Sequence, residues 1–161
     1  MLKNYTSNSK QTFDKIQKIL SSHKAKRIYF EYDDQGRVQA LAFSIEVPGS
    51  PGVQVQPQLS FKLPARVEKV EAIFLVNKKP KYDWQKPEPL NVAEKEQAYR
   101  TAWANIRDWL DSQMALIDTE QAKMQEIFLP FAMNRDGRTY FEVIENNGFA
   151  LDSGLEEGKV E

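Results

Sequence analysis

The chain has 161 residues, with 22 lysines and arginines against 23 aspartates and glutamates, and is 41% hydrophobic and 28% charged. That size and composition suit a single globular domain and exclude a disordered chain, and the balanced charge excludes a global positive field for nucleic acid. Cysteine is absent, which removes disulfides, thiolate nucleophiles and Cys-ligated zinc and suits a reducing, cytoplasmic setting.

The opening Met1 to Ser7 has no apolar run behind its charge, and no stretch approaches the ~20 apolar residues of a membrane helix. Neither export nor membrane association is expected. Ser7, Asn8 and Ser9 are candidate helix caps, and Phe13, Ile16, Ile19 and Leu20 follow at three-and-four spacing, predicting a helix over 9–23. From Lys26 the period changes to two, with Ile28, Phe30 and Tyr32 on one face before the turn residues Asp33, Asp34, Gln35 and Gly36. The return strand, Val38 to Val47, alternates Leu41, Phe43, Ile45 and Val47 with Ala42, Ser44 and Glu46.

Pro48, Gly49, Pro51 and Gly52 interrupt that strand, so a flexible loop is expected over 48–58. Leu59, Phe61 and Leu63 predict a third strand, with Pro64 placed to open a second helix carrying Val67, Val70, Ile73 and Phe74. Residues 77–90, with Pro80, Pro87 and Pro89 among lysines, read as an arm. One long helix, straight or bent, is expected from near Asn91 to Leu129-Pro130, since Tyr99, Trp103, Ile106, Leu110, Met114, Ile117, Met124 and Phe128 keep the helical period and only Gln121 breaks it. Thr139 to Ile144 reads as a short final strand, and residues 152–161 as a frayed tail. The fold class is α+β: a small antiparallel sheet packed against one long helix and two shorter ones, in a single domain over 1–161.

The lone histidine, His23, has no second histidine with which to share a metal and sits where a helix C-terminus favours a cation. Asp33-Asp34 and Glu156-Glu157 lie in a turn and in the tail, so neither pair offers the separated carboxylates of acid–base chemistry. With no glycine-rich phosphate loop, catalytic triad or metalloprotease signature, an enzyme is not expected, and no cofactor or metal is implied. Arg100, Trp103 and Arg107 share one side of the long helix, where guanidiniums and an indole could grip a planar anion; core packing of Trp103 is the competing reading. In the arm, Tyr82 and Trp84 lie among lysines, the composition that stacks bases and neutralises phosphates in single-strand binding, although a solubilising linker has it too.

Phe61-Lys62-Leu63-Pro64-Ala65, Arg100-Thr101-Ala102-Trp103, Asp108-Trp109, Gln113 to Ile117 and Phe128-Leu129-Pro130-Phe131, after the opening Lys3-Asn4-Tyr5-Thr6, resemble in the same order the motifs of a family of small phage and prophage proteins. The family carries no established activity. The resemblance implies a virus or integrated element as the source, and with it action by binding a host molecule.

Three functions follow as expectations. The first is sequestration of a small anionic, nucleotide-like host ligand such as an immune signal: Arg100 and Arg107 would pair phosphates, Trp103 or Trp84 would stack on a base, and Lys62 or Arg138 would close the site, with Tyr82 beside Trp84. The second is single-stranded nucleic-acid binding through the arm, and the third inhibition of a host protein through anchors such as Phe131 and Tyr140. A homo-oligomer through the long helix is compatible with each.

Overall fold

The computed structural model describes residues 8–48, 51–52, 57–80, 82–86 and 88–149. Helix α1, Ser9–Ser22, starts where Asn8 accepts a hydrogen bond from the Gln11 amide at 2.8 Å, and it buries Ile16, Ile19 and Leu20. A non-glycine residue in the left-handed region, Lys24 at φ 66°, reverses the chain into β1, Arg27–Tyr32. In the following turn the Asp33 carboxylate accepts from the Gln35 and Arg37 amides at 2.9 and 2.8 Å, and Gly36 supplies φ 75°.

Strands β2, Val38–Glu46, and β3, Gln58–Pro64, complete an antiparallel sheet in the order β1-β2-β3. Register places Phe43 opposite both Ile28 and Phe61, and Leu41 opposite Phe30 and Leu63. The large core side chains therefore lie on one side of the sheet, as the alternation of β2 predicts, but the other face of β2 is not the wetter one expected, since Ala40, Ala42 and Ser44 are buried there too. Most of the loop expected over 48–58, and the whole tail expected over 152–161, lie outside the described residues.

Helix α2, Val67–Asn77, begins three residues after Pro64, which ends β3 rather than opening the helix. Beyond Asn77, which ends α2, the arm contains no helix or strand among its described residues. Its base is closed by Lys78, whose ammonium donates to the Pro89 carbonyl at 3.0 Å and to Glu94 at 2.8 Å.

Helix α3, Val92–Asp118, opens with a reciprocal capping box between Asn91 and Glu94 and runs for 27 residues, about 40 Å at the rise of an α-helix. It lays Tyr99, Trp103, Leu110 and Met114 into the core and sets Ala98 and Ala102 against Val70 of α2. Here the expected single helix needs correcting. Glu120 adopts φ 58°, the Gln121 and Ala122 amides both turn back to the Leu116 carbonyl, and a separate helix α4, Met124–Phe128, follows. The break lets Phe128 fold back to meet Phe43 edge-on at 5.3 Å between ring centres.

A 3-10 turn, Leu129–Phe131, leads to Ala132, which bridges to Phe61 and so covers the β3 edge. The strand expected over Thr139 to Ile144 is instead helix α5, Tyr140–Asn146, because Thr139 and Glu142 form a capping box; only Thr139 keeps extended pairing, with Met133. The architecture is α+β, with a three-stranded antiparallel sheet and a long helix across its apolar face.

Candidate functional site

The residues expected to hold a ligand are spread over four parts of the fold. Trp103 has 0% of its surface exposed. Phe13 and Phe30 stand edge-on to it at 5.0 and 6.4 Å, and its indole N–H donates to the Val38 carbonyl. No ring face is left for a ligand, so the expected stacking role of Trp103 is corrected: the indole is core.

Arg100 and Arg107 do share a face of α3, but each is engaged locally. Arg100 donates to Gln97 at 2.8 Å, and Arg107, only 14% exposed, holds the Asp108 carboxylate at 2.7 Å. Lys62 pairs with Glu31 at 2.7 Å on the sheet face away from the core, and Arg138 lies near Asp136 in the turn before α5. Tyr82 and Trp84 do come together. Their rings are parallel within 8° at 5.6 Å, and they are 49% and 81% exposed. The structure thus joins the arm pair, while Lys62 and Arg138 each lie against a carboxylate of their own part of the fold.

Another part of the molecule has the shape of a binding site. A cavity of about 410 Å³ opens where the end of β3, the middle of α3, the 3-10 turn and the start of α5 meet. Leu63 and Pro64 form one wall, Ile106 and Trp109 a second, and Pro130, Phe131 and Phe141 the third. The walls are held from behind: Trp109 packs edge-on against Phe128 and against Phe131, each at 5.5 Å, and Phe128 is fully buried. Such a pocket is largely formed before any ligand arrives.

Few polar groups reach this cavity. The Thr139 amide donates to Glu142 at 2.8 Å and the Thr139 hydroxyl accepts from the Glu142 amide at 3.2 Å, so the α5 cap occupies both residues. Asn105 is half-buried and Arg66 exposed, and both line the cavity. Among the described residues no group of three His, Asp or Glu side chains is placed to hold a metal ion.

The sequence did not predict this pocket. Leu63 and Pro64, Trp109, and Pro130 and Phe131 come from three separate stretches of the chain, and the fold gathers them around one cavity. No family model, curated protein or solved structure matches the chain. No helix among the described residues is long and apolar enough to cross a membrane.

Proposed function

We propose that the protein is a binding protein rather than an enzyme, and that it sequesters a small host molecule whose flat, apolar body enters the pocket between β3, α3 and α5. The observation that carries this reading is the cavity itself. Its volume of about 410 Å³ falls in the range of small-molecule sites, about 300 to 1,000 Å³, and its walls are the aromatic and aliphatic side chains that such sites use. The resemblance to phage and prophage proteins supports a host ligand, and a nucleotide-like signal remains the class proposed for it.

Native mass spectrometry of the protein isolated from phage-infected cells, with heat release of the bound molecule, tests the proposal. A stoichiometric small molecule that is lost in Ile106→Trp, which fills the cavity, is the expected result. A protein that emerges empty and takes up nothing from a host metabolite extract would overturn it.

A second reading rests on the exposed Tyr82–Trp84 stack. Aromatic platforms beside lysines bind single-stranded nucleic acid, with about 1 to 3 kcal/mol per stacked base. Trp84→Ala should then abolish binding to a short oligonucleotide, and the wild-type affinity should fall with salt. Binding that ignores Trp84 would dismiss this reading.

A further inference from the structure

Arg66 breaks two local rules of its own position. It is the N-cap of α2, where a short side chain ordinarily accepts a hydrogen bond from a free helix amide, and a guanidinium has no acceptor to offer. It also holds φ 47° and ψ 48°, a left-handed conformation that glycine or asparagine adopts far more readily. The chain requires this bend: the Ala65 amide is tied to the Gln39 carbonyl at 3.0 Å on the sheet side, and the Lys69 amide closes on the Arg66 carbonyl at 3.0 Å on the helix side. The backbone therefore explains the conformation and leaves the arginine unexplained. Side chains that strain their own backbone concentrate where a ligand needs them.

The charge of Arg66 is unspent as well. Its guanidinium makes no ion pair or side-chain hydrogen bond with any described residue, even though Glu142 lines the same cavity and Glu68 and Glu71 line a neighbouring groove with it. Glu142 is turned to the Thr139 amide instead. Among the described residues, the apolar cavity thus carries at its exposed rim one cation without an ion-pair partner, Arg66.

We infer that Arg66 is the anion-recognising residue of this pocket, and that the ligand is an aromatic or fused-ring molecule bearing a carboxylate, sulfonate or phosphate. The inference rests on the pocket reading above. The ring occupies the walls of Ile106, Trp109 and Phe141, and the anion stays at the rim, where the guanidinium offers paired donors while water still solvates the rest of the group. That placement avoids the penalty of burying a charge.

Two fluorescent probes separate the inference from the reading beneath it. 1-Anilinonaphthalene-8-sulfonate and N-phenyl-1-naphthylamine share one ring skeleton, and only the first carries an anion. Both should bind the wild-type protein and both should be lost in Ile106→Trp. Arg66→Gln should weaken the sulfonate probe about tenfold or more, the worth of a charge-assisted hydrogen bond, and leave the neutral probe unchanged. Arg66→Gly, which suits the left-handed backbone, should do the same while melting at no lower temperature than the wild type. Unchanged sulfonate affinity in Arg66→Gln, or equal weakening of both probes, overturns the role of Arg66 and leaves the pocket standing. Failure of both probes to bind the wild type overturns the pocket and the inference together.

Discussion

Trp103 and Val38 are joined across the core: the indole Nε1 donates to the Val38 carbonyl at 3.3 Å, and from one turn earlier on α3 the Tyr99 hydroxyl accepts the Val38 amide at 3.2 Å. Both backbone groups of the first β2 residue are thereby satisfied by side chains of one helix. This site adjoins the irregular pairing between Glu31 and Tyr32, where the ladder itself shifts register. Burial also holds the Tyr99 hydroxyl above its usual pKa of 10.0, despite the opposing influence of the Val38 amide and Arg37, and so keeps it neutral. Tyr99→Phe leaves a buried amide without an acceptor and should lower stability by about 1 to 3 kcal/mol. Trp103→Ala should lower it by about 3 to 5 kcal/mol. Urea unfolding measures both, and a Trp103→Ala protein as stable as the wild type would contradict the core assignment.

The cavity wall at Phe141 predicts the opposite pattern. That ring is 38% exposed and meets Phe149 at 6.0 Å, outside the main core. Phe141→Ala should therefore change stability by less than about 1 kcal/mol while weakening uptake of both naphthylamine probes. A large loss of stability with uptake intact would show that Phe141 serves the fold and not the site.

His23 links the end of α1 to the end of α3 through donors on both ring nitrogens, Nδ1 to the Ile19 carbonyl at 2.7 Å and Nε2 to Asp118 at 3.1 Å. Burial alone would pull its pKa down, but those two acceptors outweigh burial and hold it above 6.5. A raised folded-state value contributes stability that is complete below 6.5 and is lost as the pH rises through that value. The melting temperature of the wild type should thus fall across neutral pH, and His23→Gln should flatten that part of the profile. A wild-type profile already flat there would refute the linkage.

Lys78 closes the base of the arm, and its hydrogen bond, aided by the Asn91 amide, lowers the pKa of Glu94 below 4.5. A depressed carboxylate keeps its partners above 4.5 and releases them as the pH falls through the lowered value. Lys78→Met should leave global stability nearly unchanged, as surface pairs do, and should speed chymotrypsin cleavage at Tyr82 and Trp84. Equal cleavage rates for the two proteins would deny the clasp its role.

The sheet and helices α1 and α3 were legible because their signals are local. The alternation of β2 and the three-and-four spacing of α3 each lie in one continuous stretch. The break at Glu120 was only faintly legible: Gln121 is the one departure from the apolar period, but the period resumes at Met124 and Phe128, and Phe128 packs on the distant Phe43 only in the assembled fold. Thr139 and Glu142 at capping-box spacing did announce α5, but the β-branched and aromatic content of the segment favoured a strand. The pocket could not be read from any single stretch, because its walls come from segments as far apart in sequence as Leu63 and Phe141. Trp103 looked amphipathic in sequence for the same reason: only the assembled core shows that its ring is wholly covered.

The clasp at Lys78 also bears on how this protein can change over generations. Because one side chain brings the two ends of the arm together, the segment between them adds little to the constraints on the rest of the chain. Doubling the length of such a loop costs only about 0.6 kcal/mol in closure entropy. The arm is therefore a place where residues can be inserted, deleted or exchanged while the pocket and core stay as they are, so new surface contacts can be tried there without refolding the molecule.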